Sequence, residues 1–238
     1  MKLSIIIPVF NEEKTVLKII DKVIALKIPS VKKEIIVVDD GSTDRTWSKI
    51  EDQKSRFRGL KLFRHKENMG KGAAVRTGIK NSTGDYIIIQ DADLEYDPEQ
   101  IKFLIEPVLR KEAKVVYGTR LDRMPHLSGE ENDPRFVLHF FGNRFLSLVT
   151  SILYGAWITD METCYKLFPA KLAKNLKLKS RSFDFEPEIT AKILKSGYKI
   201  IELPIKTKPR NYDEGKKLRT FHDGGIALYT LIKYRFID

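Results

Sequence analysis

Apolar runs near 3–8, 34–38, 60–64, 86–90 and 114–117 are each followed by polar residues, and they predict buried strands. Between them, apolar positions recur at helical spacing over roughly 12–26, 44–57, 71–81 and 98–111. Asp97-Pro98-Glu99 marks a helix start, with an acceptor at the N-cap and Pro at the first helical position. Strands alternating with helices predict an α/β fold whose mostly parallel, doubly wound sheet carries helices on both faces. Leu121 to Pro134 is polar, is interrupted by prolines and Gly129, and reads as a loop. Arg135 to Tyr154 follows as a helix rich in aromatics and leucine, and Gly225 to Phe236 is a last helix too short to span a bilayer. No composition break or repeat divides the chain, so a single domain over 1–238 is expected, with a first half at 1–118 and a second at 119–238.

The polar residues at the strand ends carry the candidate chemistry. Asp91-Ala92-Asp93 closes the run Tyr86-Ile87-Ile88-Ile89-Gln90. Side chains two apart on a strand point the same way, so Asp91 and Asp93 can aim hard oxygens at one Mg²⁺ or Mn²⁺. An ordinary Asp turn explains the pair equally well. Val9-Phe10-Asn11-Glu12-Glu13, Asp39-Asp40-Gly41-Ser42-Thr43-Asp44 and Asn68-Met69-Gly70-Lys71-Gly72 supply further turn and acidic residues. In open parallel sheets ligands bind outside the carboxyl ends of strands, so these segments predict one shared pocket. Gly beside Lys71 permits close backbone approach to a phosphate; a plain helix-start loop is the alternative.

Composition is that of an ordinary enzyme-sized globular chain, 42% hydrophobic and 32% charged, which excludes a wholly disordered protein. Lone Cys164 permits no internal disulfide and is expected to be a buried structural thiol. With no leader pattern and no run of 18 apolar residues, a cytoplasmic protein is expected. The net charge of +11 is concentrated in Lys171, Lys174, Lys177, Lys179 and Arg181, and in Lys206, Lys208, Arg210, Lys216, Lys217 and Arg219. Such clusters suit an anionic membrane surface; no nucleic-acid-binding signature accompanies them.

The ordered set of Ile5-Ile6-Ile7-Pro8-Val9-Phe10-Asn11-Glu12, Val37-Val38-Asp39-Asp40-Gly41-Ser42-Thr43-Asp44, Asn68-Met69-Gly70-Lys71-Gly72 and Asp91-Ala92-Asp93-Leu94 resembles the family 2 glycosyltransferases. These are inverting enzymes of the GT-A fold that use a nucleotide-sugar donor. Tyr117-Gly118-Thr119-Arg120, Thr159-Asp160-Met161-Glu162-Thr163-Cys164-Tyr165-Lys166 and Phe183-Asp184-Phe185-Glu186-Pro187-Glu188-Ile189 narrow the resemblance to the polyprenyl-phosphate branch, which includes dolichol-phosphate mannose synthases and dolichyl-phosphate glucose synthases. It runs from about Leu3 to Arg235.

The resemblance implies roles for matching residues. Pro8, Phe10 and Glu12 hold the nucleoside, and Asp39 accepts from the base. Asp40 and Asp44 read as a turn residue and a helix cap. Lys71 faces the diphosphate, and Asp91 and Asp93 bridge it to Mg²⁺ or Mn²⁺. Glu95 stands where the mannose synthases place a third ligand, a Gln. Arg120 matches the acceptor-phosphate arginine, and Arg210 fits a further such position. Arg135, eight residues before Asn143, fits the family's Arg and Asn spacing, although His139 replaces a usual small residue. Asp160 matches an acid near sugar and acceptor; it is either a general base for a hydroxyl acceptor or the residue that orients Arg120. Glu186 and Glu188 are lesser candidates, one of them a helix-start residue, and His126, His139 and His222 read as structural.

The implied function is transfer of a hexose, mannose or glucose, from a donor such as GDP-mannose or UDP-glucose to a polyprenyl (dolichyl) phosphate. A glycan or other hydroxyl acceptor and a non-catalytic nucleotide-sugar-binding protein remain as alternatives. Nucleotidyl transfer is disfavoured, because no Gly-rich loop with a basic signature follows the first strand. The aromatics Phe136, Phe140, Phe141 and Phe145 read first as core or homodimer interface. For the last helix, packing and attachment to an anionic membrane are equally good readings.

Overall fold

A computed structural model describes residues 1–54, 59–121, 134–208 and 220–237, with the backbone alone at 134–136 and 220–221. Its strands are β1 (Lys2–Val9), β2 (Lys32–Asp39), β3 (Leu60–Arg64), β4 (Tyr86–Ile89), β5 (Val115–Thr119), β6 (Lys166–Pro169) and β7 (Ile200–Pro204). The helices are α1 (Val16–Ala25), α2 (Thr46–Glu51), α3 (Lys71–Asn81), α4 (Ile101–Leu109), α5 (Pro134–Tyr154), α6 (Ala170–Asn175), α7 (Phe185–Lys195) and α8 (Thr220–Phe236). All seven strands form one sheet in the order β3-β2-β1-β4-β6-β5-β7. Only β6 runs against its neighbours; β1, β2, β3 and β4 pair in parallel, as do β5 and β7.

The order β3-β2-β1-β4 makes this a doubly wound sheet. The chain moves outward from β1 and then returns to β4 on its other side, so right-handed crossovers place helices on opposite faces. The central strands β1, β2 and β4 carry continuous runs of Ile and Val because both faces are covered: Ile5, Ile6, Ile7, Ile35, Ile36, Val37, Ile87 and Ile88 are all fully buried. Helix α3 lies close on this layer because Gly78 has no side chain; a Cβ there would stand 2.4 Å from Ile6 Cγ2. A smaller cluster of Leu146, Ile158, Met161, Ala227 and Leu231 joins α5 to α8.

Several boundaries depart from the sequence expectation, and the helix expected over 44–57 is only Thr46–Glu51. Helix α1 begins at Val16 rather than near 12, because the preceding residues are tied to the neighbouring loop. Asn11 (φ 53) donates its N–H to Ser42 Oγ at 2.9 Å, and Glu12 donates to Thr46 Oγ1 at 2.8 Å. Asp97 does cap a helix start, accepting from the Glu99 N–H at 3.4 Å, but the first turn, Pro98–Gln100, is 3₁₀. The last helix starts at Thr220, not Gly225. The expected loop at 122–133 lies outside the described residues.

Candidate active site

The carboxyl ends of β1, β2 and β4 meet at the point where the strand order reverses, and their loops are fastened to one another. Asp39 ends β2 and is fully buried. Its Oδ2 accepts from the Ser42 N–H at 3.3 Å and lies 3.2 Å from Arg64 Nε, while its Oδ1 is buried with no partner. The Arg64 guanidinium rests 5.3 Å over the Trp47 ring. Pro8 lies buried in β1, and Phe10 and Glu12 follow it in the loop.

Asp40, expected in a turn, organises the loop before α3. It accepts from the N–H groups of Met69 (3.0 Å) and Gly70 (2.7 Å), and its Oδ1 lies 2.6 Å from His65 Nδ1. Asp44, expected as a helix cap, stands one residue before the N-cap position of α2, Arg45, and its Oδ1 accepts from the Thr46 N–H at 2.9 Å. The close approach that Gly70 and Gly72 permit is made by the chain itself: a Cβ on Gly70 (φ +94) would stand 2.2 Å from the Arg181 carbonyl oxygen. The Ala73 N–H donates to that same oxygen, so the segment around 181 covers the start of α3.

Lys71 reaches inward from this loop, with Nζ 3.0 Å from Asp91 Oδ1 and 3.0 Å from Glu186 Oε1. Burial works against its charge, yet the charges of Asp91 and Glu186 hold its pKa well above the ordinary lysine value. Strand β4 stops at Ile89, so Asp91 and Asp93 sit in a turn rather than on the strand, and strand alternation does not set their directions. Leu94 (φ 67) turns the chain back, and Asp93 Oδ1 accepts from the Glu95 N–H at 3.0 Å. Among the described residues no three His, Cys, Asp or Glu side chains converge to hold a metal. The donor set still fits a hard cation, because Mg²⁺ is usually held by one or two carboxylates plus substrate phosphates.

On the other side of β4, Arg120 follows β5 and pairs with Asp160. Arg120 Nε donates to Asp160 Oδ2 at 2.7 Å, Nη2 to Oδ1 at 2.8 Å, and the Arg120 backbone N–H to Oδ2 at 2.9 Å. Glu202 on β7 fixes the Asp160 turn by accepting from the N–H groups of Thr159 (2.7 Å) and Asp160 (2.9 Å). Burial alone would raise the pKa of Asp160, but the Arg120 guanidinium reverses this and lowers it. The ring of Tyr96 lies 5.9 Å below Arg120, and the Tyr96 hydroxyl accepts from the Cys164 N–H at 3.2 Å. Tyr165 donates to Gln90 Oε1 at 2.7 Å, and Gln90 donates to the Asp91 and Tyr96 carbonyls, so this buried network ties the Asp91 turn to the Arg120 pair.

The other expected residues fall as follows. Arg135 is in the first turn of α5, its side chain outside the described set; Arg210 and His126 lie outside the described residues altogether. The chain leading toward 210 does pass the Asp91 turn, since the Lys208 N–H donates to the Glu95 carbonyl at 2.9 Å. Glu188 is a structural acid: it accepts from the N–H groups of Lys179 and Ser180 and from Lys192 Nζ at 2.6 Å. Glu186 faces Lys71 instead. Cys164 is a buried thiol whose pKa burial pushes up, as expected of a structural residue. Glu162 was given no role from the sequence, yet the charges of Glu186, Lys166, Arg120 and Asp160 act on it. Burial first, and then the Glu186 charge, push its pKa up to about 8. It stands in the Thr159-Asp160-Met161-Glu162 motif, but nothing there gave it a role; only the fold brings these charges to bear on it.

The model of the family described as Glycosyl transferase family 2 matches residues 4–174. Dodecaprenyl-phosphate galacturonate synthase of Rhizobium johnstonii is 28% identical over an alignment covering 91% of this chain and 62% of that protein. Dolichyl-phosphate beta-glucosyltransferase ALG5C of Trichomonas vaginalis is 30% identical, covering 85% of this chain and 62% of that protein. The chain thus spans less than two thirds of the length of these two relatives. A crystal structure of Mycobacterium tuberculosis glucosyl-3-phosphoglycerate synthase, in complex with Mn²⁺, uridine diphosphate and glucosyl-3-phosphoglycerate, superposes with a TM-score of 0.70 at 18% identity, covering 100% of this chain and 81% of that one. That likeness shows the shared GT-A fold.

Proposed function

The chain belongs to glycosyl transferase family 2, and from that membership we propose that it moves one hexose from a nucleoside diphosphate-sugar to a polyprenyl phosphate, with inversion at the anomeric carbon. The observation that carries the acceptor class is the Arg120–Asp160 pair. A general base needs a free lone pair and a pKa near the working pH. Asp160 instead receives Arg120 donors on both oxygens, and its pKa is lowered. It serves as the residue that aims a guanidinium. A hydroxyl acceptor would need a base; a phosphate acceptor is already ionised and needs a cation that gathers two anions, for which Arg is suited. The names of both relatives specify polyprenyl-type phosphates, which supports the same acceptor.

In the reaction, an acceptor phosphate oxygen forms a bond to the anomeric carbon as the bond from that carbon to the diphosphate breaks. The electron pair leaves on the diphosphate. Lys71 is placed to meet that charge once the diphosphate competes for it with Asp91 and Glu186. Asp91 and Asp93 are the residues that would hold Mg²⁺ or Mn²⁺ with the diphosphate, where it would neutralise the leaving group. Asp39, with its unpartnered Oδ1, is placed to accept a base N–H.

Release of UDP from UDP-glucose and of GDP from GDP-mannose, followed with and without polyprenyl phosphate, tests this reading. One donor should turn over only with the lipid phosphate and should stop when divalent cations are chelated. Arg120→Ala should weaken acceptor use by at least about 30-fold, matching roughly 2–5 kcal/mol for an unpaired buried charge contact, and leave donor affinity nearly unchanged. Turnover onto a glycan with no response to polyprenyl phosphate would return Asp160 to the role of base.

A further inference from the structure

The segment at 177–182, between α6 and α7, covers the start of α3, and a buried ion pair on α7 holds it there. Glu188 is fully buried and Lys192 nearly so, with Lys192 Nζ 2.6 Å from Glu188 Oε1. Burying such a pair costs desolvation on both sides, which further hydrogen bonds must offset. Those bonds go to one segment. Glu188 accepts from the N–H groups of Lys179 (2.9 Å to Oε1) and Ser180 (2.7 Å to Oε2), and Lys192 Nζ donates to the Lys177 carbonyl at 3.1 Å. Tyr234 of α8 is buried against the pair, its ring centre 4.4 Å from Lys192 Nζ.

The clamped segment stands in for a helix cap. Gly70, at the N-cap position of α3, has no side chain to offer the N–H groups that a helix leaves unpaired at its start. The Ala73 N–H finds the Arg181 carbonyl at 3.1 Å instead, and further along α3 Arg76 Nη1 donates to the Lys179 carbonyl at 3.0 Å. Backbone presses on backbone here: a Cβ on Gly72 would stand 2.8 Å from the Ser180 carbonyl oxygen. Lys71 is the first residue of α3, between the two glycines that the segment packs on. Its Nζ spans Asp91 and Glu186, and Glu186 stands two residues before Glu188 on α7. The helix that gives Lys71 a partner thus also fixes its backbone. We propose that Glu188 and Lys192, backed by Tyr234, are positioning residues that set Lys71 against the donor's diphosphate through the 177–182 segment.

This rests on the placement of Lys71 at the diphosphate and adds what keeps it there. A lysine stem is flexible, so the reach of its ammonium depends on where its backbone is held. A loosened start of α3 must be ordered again each time a diphosphate binds. That cost falls on the diphosphate and spares the nucleoside, which is assigned to the loops after β1 and β2. It also gives α8, far along the chain, a part in donor binding.

The test compares Kd for UDP and UMP, and for GDP and GMP, with Mg²⁺ present, on wild type and variants held well below their measured melting temperatures. Lys71→Met should weaken the diphosphate relative to the monophosphate of whichever base binds. Lys192→Met and Tyr234→Leu should shift that ratio in the same direction by roughly 2- to 30-fold, and Tyr234→Phe, which keeps the ring over Lys192, by less. Arg76→Ala removes one bond to the segment and leaves the ion pair intact; it should give a smaller shift of the same sign and decides the matter if the buried variants do not fold. A purely structural pair would lower the melting temperature and leave the ratio alone. That result, with Lys71→Met shifting the ratio, would overturn the positioning role and leave the donor reading standing. If Lys71→Met leaves the ratio unchanged, or no nucleotide binds wild type, the placement of Lys71 itself fails and the proposal falls with it.

Discussion

Glu162 shows how much a single residue can owe to its surroundings. A carboxyl raised from 4.5 to about 8 binds its proton more tightly folded than unfolded. Between those values the folded state holds more protons, so stability falls as pH rises through the window and stays low above it. The slope has a ceiling of about 1.4 kcal/mol per pH unit for one group. Denaturant unfolding of wild type and Glu162→Gln from pH 5 to 9 should show a falling curve for wild type and a flatter one for the variant; parallel curves would place the titration elsewhere. At this scale the sequence was informative where polar residues close apolar runs, as at Asp39, Lys71, Asp91 and Arg120. It offered Glu186 only as a lesser candidate and gave Glu162 no role, because the charges that act on them come from segments that only the folded chain brings together.

Among the elements, those of the first half were legible because β1, β2 and β4 carry apolar runs and the helices between strands carry apolar positions at helical spacing. Strand β6 was not: it is four residues long, begins with fully buried Lys166, and runs antiparallel. Lys166 Nζ donates to the carbonyls of Met161 (2.8 Å) and Thr163, an arrangement that a pattern of apolar and polar letters reads as surface. The turns were legible as turns but not for what they hold. Gly41 (φ +72) illustrates this, since a Cβ there would stand 2.4 Å from the Glu67 carbonyl carbon and 2.8 Å from the Asn68 nitrogen. Gly155 has a similar φ of +65 but nothing within 4 Å. Gly41→Ala should therefore cost more than the roughly 1–3 kcal/mol of backbone strain alone and weaken nucleotide binding. Gly155→Ala should cost about 1 kcal/mol and leave binding intact, as read from urea midpoints and calorimetry. Equal costs would deny the close packing of the β2 and β3 loops.

For the molecule as a whole, the aromatics of α5 correct one expectation. Phe140 is buried, but Phe141 and Phe145 are 52% and 55% exposed and are not core. They belong to an exposed row with Leu138, Leu148 and Ile152 along one side of the helix. Tyr229, Ile232 and Phe236 are exposed on α8, which packs on α5 through Tyr154, whose hydroxyl donates to the Leu231 carbonyl at 2.7 Å. No helix among the described residues is long and apolar enough to cross a membrane. These rows, with Lys233 and Arg235 at the end of α8, support the proposal that the protein works against an anionic membrane face. It should float with vesicles containing anionic lipid, less so as salt screens the cations, and Phe145→Ser with Ile152→Ser should reduce flotation several-fold. Concentration-dependent dimerisation without flotation would assign the row to a second copy.

The reversed strand also sets an order of events in folding. Strands β1, β2 and β3 pair between near stretches of chain, Ile5 opposite Ile35 and Ile36 opposite Lys61, whereas β4 meets β1 (Leu3 opposite Tyr86) and β6 (Ile87 opposite Phe168) across much longer ones. Closing the longer loop costs more entropy, and β5 and β7 reach the sheet only through β6. The half that holds Asp39 and Lys71 should therefore gain hydrogen-exchange protection before the half that holds Arg120 and Asp160. During synthesis, a partly made chain could then acquire its nucleotide platform while the groups that meet the acceptor are still unassembled. Simultaneous protection of β1 and β6 in pulse labelling would contradict that sequence.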